Sequence, residues 1–385
     1  MTEKLYDRDS HLSAFTARVL QCAPAAGAWE VILDQTAFFP ESGGQLADTG
    51  TLGGVRVLDV HEKAGELIHR TDGPLTPGET VTGQLDWLRR FRRMQNHTGE
   101  HILSGLVYQH YGFRNVGFHL GDGDVTVDFD GELDRAQLDA LEAEANLAVA
   151  ANVAVRAWYP TAGALKRLKY RSKLALTENV RIVKIPGYDL CACCAPHVSR
   201  TGEVGLIKIL DYMRHRGGVR LHMLSGLDAL DDYRMRYEST LSISGLLSAK
   251  QTETAAAVRR TLDTLEETRA ALTEAKRALL SVKLAALPET AGNLCFFEAD
   301  MDMLTLRELV NGGMEKCGGV CGAFTGRDGD WKYILGSRSR DLRQAAKAVN
   351  AALKGRGGGQ PEMIQGSSAA TRAEIEAYFA PGGGL

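Results

Sequence analysis

The chain has no apolar run approaching the roughly 20 residues that a membrane-spanning helix needs. Its opening, MTEKLYDRDSHLSAF, also lacks the basic stretch and apolar core that direct export. The expected setting is therefore the cytoplasm, with no membrane contact. Cysteine is sparse and odd in number: Cys22, Cys191, Cys193, Cys194, Cys295, Cys317 and Cys321 are all there are in 385 residues. That count argues against a disulfide framework and leaves metal binding or plain burial. A strong charge of one sign is missing too. The formal net charge of −3 gives no general attraction for nucleic acid, so any such contact rests on local patches. No short internal repeat is visible. What remains, with 44% hydrophobic residues, is an ordinary globular composition long enough for more than one core.

The patterning divides the chain into regions of different character, and the fold class they imply is α+β. Residues 1–86 carry short alternating stretches (VILDQTAFF, GGVRVLDVHE, VTGQLDW) separated by Gly, Pro and Asp, which predict a small N-terminal β-barrel. From Trp87 the spacing becomes helical, with Ile102, Leu103, Leu106 and Val107 at three- and four-residue steps. Strand and helix signals then alternate, so 87–238 reads as an α+β domain. Between 239 and 287 the sequence is rich in Ala, Leu, Glu, Lys and Arg and lacks proline, predicting one long helix that Pro288 ends. At ~1.5 Å per residue such a helix is on the order of 60–70 Å long. Val258, Leu265, Leu272 and Leu279 recur every seventh residue, a coiled-coil-like seam for a second helix or a second copy of the chain. Residues 288–385 predict a C-terminal α/β domain, with KGRGGGQPEMIQGS as a glycine-rich turn.

Two clusters carry the chemistry. In HTGEH, His97 and His101 stand four apart on a helix, so both imidazoles leave the same face and one metal ion can bridge them. Far along the chain, CACCAPHV offers Cys191, Cys193, Cys194 and His197 in a turn where Pro196 prevents a regular helix. Imidazole and thiolate together point to Zn²⁺ rather than to the oxygen-seeking Mg²⁺ or Ca²⁺. Spacing alone does not choose among the three cysteines. Glu100 directly precedes the second histidine, so the stretch is not the HExxH motif of metalloproteases. Four protein ligands would also fill a tetrahedral ion, the pattern of a structural site. Basic patches occur at RRFRR (Arg89 to Arg93), KRLKYRSK (Lys166 to Lys173) and, near the C-terminus, Arg338, Arg340, Lys354 and Arg356. Cys317 and Cys321 stand among glycines and read as packing residues.

Taken in order, LDQTAFFPESGGQLADTG (33–50), HTGEH (97–101) and CCAPHVSRTGEVG (193–205) closely resemble the editing domain of alanyl-tRNA synthetases and the free-standing AlaX proteins. The resemblance implies a zinc-containing editing domain with one Zn²⁺ per chain on His97, His101, Cys193 and His197. The chain has CAPHV where the family commonly has CGGTHV. Residues 289–385 resemble the C-terminal tRNA-binding domain of alanyl-tRNA synthetases, and neither a class II synthetase core nor a DHH-type metal motif is visible. The long form of AlaX, which edits without synthesising, is the implied class.

On that resemblance the expected activity is trans-editing: hydrolysis of the ester in tRNA(Ala) mischarged with serine or glycine, which an alanine pocket cannot reject well by size alone. Thr36, Glu41 and Gln45 are then the expected catalytic residues, Thr36 by hydrogen bonding the seryl hydroxyl, Glu41 and Gln45 by positioning water or ribose. Gly43, Gly44 and His119 are the expected substrate-binding positions. Arg338, Arg340, Lys354, Arg356, Gly357, Gly358 and Gly359 are the expected tRNA contacts, and a homodimer through the long helix or the C-terminal domain is the expected assembly. The alternative is a zinc-stapled tRNA-binding module without hydrolytic activity.

Overall fold

The computed structural model describes residues 2–121, 123, 125–172 and 179–384. Lys173, the last residue of the KRLKYRSK run, lies outside them. The chain is a mixed α+β protein in two compact units, Met1–Ile243 and Ser244–Leu385. No helix among the described residues is long and apolar enough to cross a membrane.

The first unit begins with β1 (Glu3–Lys4), β2 (Ala14–Ala25), β3 (Ala28–Leu33), β4 (Gln35–Thr36), β5 (Gly50–Leu52), β6 (Val55–Lys63), β7 (Glu66–Thr71) and β8 (Thr80–Leu85). β1 pairs only with β4, and the other six hydrogen-bond in a closed antiparallel ring of order β2-β3-β7-β6-β5-β8. Alternation decides which side chains fill it. In AFTARVL, Phe15, Ala17 and Val19 turn inward to meet Val31, Leu33, Phe38, Leu52 and Val60, while the residues between them face water.

Helix α1 (Trp87–Tyr111) follows, capped at its end by Gly112 with φ of 73°. The strands β9 (Asn115–Leu120) and β10 (Val125–Phe129), helix α2 (Arg135–Ala150), β11 (Arg156–Trp158) and the single turn α3 (Ala162–Leu165) come next. After them stand β12 (Ile182–Ile185), β13 (Asp189–Ala192), β14 (Ile207–His215), β15 (Gly218–Ser225) and α4 (Gly226–Leu247). α2 opens on a capping box in which Asp134 and Gln137 exchange side-chain-to-backbone hydrogen bonds. The sheet β14-β15-β10-β9 and α2 enclose α1, so that Met94, Ile102, Leu103, Leu106 and Val107 are all buried with Val127, Leu141 and Leu221. A smaller sheet, β11-β12-β13, carries the cysteine cluster at its end.

RRFRR is not a solvated patch. Arg90 is fully buried: its Nε donates to Asp48 Oδ1 at 3.0 Å, Nη1 to the Ser10 carbonyl at 3.1 Å and Nη2 to the Ala37 carbonyl at 2.7 Å. Arg93 is buried too and donates to the Leu46 carbonyl at 2.9 Å, while Arg92 is paired with Asp228 and Asp231. The helix presents Arg90 and Arg93 to carbonyl and carboxylate groups of the segment before it, and Arg92 to carboxylates of α4, which a linear charge count does not reveal.

The expected single helix over 239–287 is two: α4 ends at Leu247, and α5 runs from Thr254 to Ala285. Ser248 takes the left-handed conformation (φ 47°), Ala249 N–H bonds back to the Ser244 carbonyl at 3.1 Å and Ser248 N–H to the Gly245 carbonyl at 3.3 Å. This is the Schellman closure that glycine usually makes, here made by serine, so no glycine or proline marks it in the sequence. Along α5 the row Val258, Leu265, Leu272 and Leu279 is exposed, and burial is confined to Ala257 and Leu280.

The second unit continues with β16 (Leu294–Glu298), α6 (Met303–Met314), β17 (Cys321–Arg327), β18 (Asp330–Gly336), α7 (Leu342–Ala352), β19 (Gly355–Gln360), β20 (Met363–Ser368) and α8 (Arg372–Phe379). Its sheet has the order β16-β17-β18-β20-β19; the α6 crossover makes β16 and β17 parallel, and the remaining pairs are antiparallel. The glycine-rich turn expected around Gly357 to Gly359 is instead the edge strand β19, and the turn falls at Pro361 and Glu362. A Cβ at Gly357 would lie 2.2 Å from the Tyr333 hydroxyl and one at Gly359 2.4 Å from the Met363 carbonyl, so close packing accounts for these glycines. Cys321 is buried in β17, as a packing residue should be.

Asp48→Ala is expected to leave the Arg90 guanidinium buried without its countercharge and to lower stability by about 3–5 kcal/mol. Urea unfolding of the variant against the parent checks this; a change below about 1 kcal/mol would mean the pair is not a stabilising element.

Candidate metal centre

α1 brings His97 and His101 to one face, and the chain leaving β13 brings Cys193 and His197 to meet them. One donor atom from each lies within 4.8 Å of all the others, and all but Cys193, which is partly exposed, are buried. His97 Nε2 is 3.5 Å and His197 Nε2 3.4 Å from Cys193 Sγ. Each imidazole is held from behind through its other nitrogen. His97 Nδ1 is 2.9 Å from Gln45 Oε1, His101 Nδ1 is 2.8 Å from Asp189 Oδ2, and His197 Nδ1 is 3.0 Å from Thr98 Oγ1. With Nδ1 so engaged, Nε2 is the atom each ring offers to the centre, the arrangement of a metal ligand with an outer hydrogen-bond partner. The soft donor set and its convergence fit a divalent transition metal.

Burial tends to raise the Cys193 thiol pKa, but the facing imidazoles of His97 and His197 prevail and hold it well below the usual thiol range. A thiolate is the form that binds a metal. Burial likewise works against the Asp189 carboxylate, yet His101 and Arg171 hydrogen-bond it and keep its pKa below the ordinary value. Arg171 clamps it with two bonds of 2.8 and 2.9 Å. Burial drives His197 down to about 3. Cys191 lies beside His101 and Asp189, with its thiol pushed up to about 11 by burial, and Cys194 Sγ stands 3.4 Å from Ser42 Oγ. Neither joins the four-donor group.

The stretch TAFFPESGGQLAD reaches the cluster as a folded loop. Ser42 and Gln45 exchange backbone hydrogen bonds of 3.0 Å across a two-residue turn whose Gly43 and Gly44 have φ of 62° and 84°. Two positive φ values in succession are what a type I′ turn requires and what glycine adopts without strain. The Gly44 carbonyl accepts from Leu120 N–H at 2.8 Å, tying the turn to β9, whose Phe118 ring lies 4.9 Å from His97. Gln45 is thereby fully buried on His97, and its Nε2 has no partner among the described residues. Glu41 is exposed, its side chain without a hydrogen-bond partner among the described residues, and His119 is exposed on β9.

Thr36 is fully buried, and its hydroxyl is already engaged: His69 Nε2 is 2.8 Å away, and Phe38 N–H donates to Thr36 Oγ1 at 3.1 Å. His69 Nδ1 is 3.2 Å from the Val31 carbonyl, which makes Nδ1 the donor and Nε2 the acceptor of the threonine proton. The Thr36 hydroxyl thus donates to His69, accepts from Phe38 N–H and keeps one acceptor lone pair. Of the C-terminal cations, Arg338 pairs with Glu315 and Lys354 with Glu374, while Arg340 and Arg356 are exposed.

Sequence reading missed Asp189, Arg171, Thr98 and His69. For Asp189 a signal existed: an acid two residues before Cys191 on a strand shares its face, and an acid on a buried face needs a partner. Nothing in the sequence points to His69.

Residues 180–221 match the family described as the threonyl and alanyl tRNA synthetase second additional domain, and residues 12–89 match the family described as tRNA synthetases class II (A). The chain is 28% identical over 401 residues to the alanyl-tRNA editing protein AlaX-L of Pyrococcus horikoshii, covering 97% of this chain and 96% of that one. It is 27% identical over 403 residues to the alanyl-tRNA editing protein Aarsd1 of Danio rerio, again with 97% and 96% covered. The alanine–tRNA ligase of Halobacterium salinarum is 31% identical over 363 residues, 87% of this chain, but the match spans only 38% of that ligase. The fold and donor set thus define an α+β protein with a candidate metal centre. End to end, the chain is similar to proteins named as alanyl-tRNA editing proteins.

Asp189→Asn is expected to weaken metal affinity about 10- to 100-fold by releasing His101, and Cys193→Ala to abolish stoichiometric binding; competition with a chromophoric chelator measures both. Because burial lowers the His69 pKa to about 4, the folded state keeps it neutral while the unfolded chain takes up a proton near pH 6.5. Its contribution is fully present above about pH 6.5 and is lost progressively toward pH 4, at most about 3 kcal/mol. The difference between His69→Gln and the parent in unfolding free energy against pH checks this.

Proposed function

We propose that the protein is an aminoacyl-tRNA deacylase that hydrolyses the ester of tRNA(Ala) mischarged with serine, and with glycine, using one Zn²⁺ on His97, His101, Cys193 and His197. The observation that carries this reading is the four-donor cluster lying directly against the Gly43–Gly44 turn. It is supported by end-to-end likeness to relatives named as editing proteins. A zinc ion there supplies Lewis acidity toward a water or carbonyl oxygen. The protein's own residues do the rest of the selecting. Gln45 holds the His97 ring and has an unpaired buried amide donor for an oxygen of the aminoacyl end. The remaining lone pair of Thr36 accepts the seryl O–H, which alanine lacks. Gly43 and Gly44 let the backbone approach the terminal ribose. Glu41, facing solvent, and the exposed His119 have only an outer role in placing ribose or water. In the second unit Arg338, Arg340, Lys354, Arg356 and the strand Gly357 to Gly359 contact the tRNA backbone, and the exposed row of α5 is offered to a second copy of the chain. The setting is the cytoplasm.

A second reading is favoured by one observation: four protein donors fill a tetrahedral ion and leave no open position. In that case zinc staples the fold and the protein only captures tRNA. Deacylation of Ser-, Gly- and Ala-tRNA(Ala) by the zinc-loaded protein separates the two. The hydrolase reading expects Ser-tRNA(Ala) to be cleaved, and Thr36→Val to lower the preference for serine over alanine by roughly 5- to 150-fold, the worth of a buried hydrogen bond of about 1–3 kcal/mol. No cleavage by protein holding stoichiometric zinc would leave the binding module.

A further inference from the structure

Behind the metal centre lies a groove of about 600 Å³. It is built from three pieces of the first unit: the later turns of α1, the β12–β13 hairpin, and the short segment 169–171. Their junction is tight. Gly105 lets α1 come so close to the hairpin turn that a Cβ there would lie 2.2 Å from the Tyr188 carbonyl, and Gln109 Nε2 donates to that same carbonyl at 2.5 Å. Segment 169–171 is fixed to β13 by hydrogen bonds from Arg171 N–H to the Leu190 carbonyl, 2.8 Å, and from Ala192 N–H to the Arg171 carbonyl, 2.9 Å. The walls are therefore preformed.

Its lining combines two chemistries. Tyr108, Tyr170 and Tyr188 supply aromatic surface from three different segments, with Tyr108 48% exposed. Lys169 and Lys184 are exposed at the groove and have no carboxylate partner among the described residues. Arg171 is committed to Asp189, the one carboxylate in the lining, so that pair neutralises itself and the two lysines leave the groove cationic. Aromatic faces beside unneutralised cations suit a ligand that is a flat ring at one end and an anion at the other.

We propose that this groove binds a nucleoside phosphate, the base against the tyrosines and the phosphate on Lys169 and Lys184. The unit is supplied either by a single-stranded RNA segment or by a free nucleotide. Tyr108 follows His101 by seven residues on one helix face, so the groove begins on the order of 10 Å along α1 from the metal centre. The Asp189–Arg171 pair forms the wall between them. The site does not rest on the deacylation reading, because binding is measured without an acylated substrate.

The test titrates the full-length, zinc-loaded protein with AMP and with a short single-stranded oligoadenylate. Saturable binding is expected for at least one probe. Lys169→Ala with Lys184→Ala should weaken it and reduce the slope of log K against log salt for the oligoadenylate by roughly 0.7, the loss of one phosphate contact. Tyr170→Ala should weaken it roughly 5- to 150-fold, the range for loss of one stacked base, and Tyr170→Phe should restore it. Metal content equal to the parent's shows that each variant is folded around its centre. Binding of AMP that the oligoadenylate does not surpass assigns a free nucleotide; binding of the oligoadenylate with AMP silent assigns a strand. Failure of both probes to saturate, or binding that these substitutions leave unchanged, overturns the proposal.

Discussion

The buried Arg90–Asp48 pair is the constraint on which the rest of the first unit depends. Asp48 accepts from the guanidinium and, through Oδ2, from Phe39 N–H at 2.7 Å, so one carboxylate closes the loop that carries the glycine turn and Gln45. Arg93, one turn further along α1, holds the Leu46 carbonyl in the same loop. The helix that provides two metal donors therefore also positions the loop lying against them. Gln45 reaches His97 because Arg90 and Arg93 have set where the loop ends. A charge pair without solvent is costly unless every polar atom is satisfied, and Arg90 meets that condition with two backbone carbonyls in addition to the carboxylate.

The metal centre shows the same economy in its outer contacts. Three histidines each have a different partner behind them: an amide, a carboxylate and a hydroxyl, on Gln45, Asp189 and Thr98. These come from the turn after β4, from β13 and from α1 itself. Only the carboxylate carries charge, and its own countercharge, Arg171, faces the tyrosine-lined groove. His101 is thus the donor whose surroundings reach furthest from the centre.

The second unit departs from expectation for reasons of backbone geometry rather than of composition. A serine in the left-handed conformation ends α4 where a helix-forming composition runs on, and in the glycine run that read as a loop Gly357 and Gly359 lie in β19 where Tyr333 and the β20 backbone leave no room for a side chain. The heptad row of α5 is present as read, but it lies in the open, with Leu280 and Leu284 alone reaching the core formed by Leu306, Leu309 and Val310.

Much of the candidate site was legible in the sequence because its logic is local. Residues four apart on a helix share a face, so His97 and His101 had to converge, and a Cys-x-x-x-His turn had to provide donors of matching softness. The α+β class and the strand alternation of AFTARVL followed from period alone. Which cysteine points inward, however, depends on how β13 enters its turn. Whether an arginine faces water or a carboxylate depends on what packs against the helix, and whether a threonine hydroxyl is free depends on a histidine more than thirty residues away on another strand. Those are contacts between distant segments, and the sequence by itself determined only the residues capable of making them. The tertiary structure decided the partners, since burial and hydrogen-bond satisfaction are properties of the packed whole.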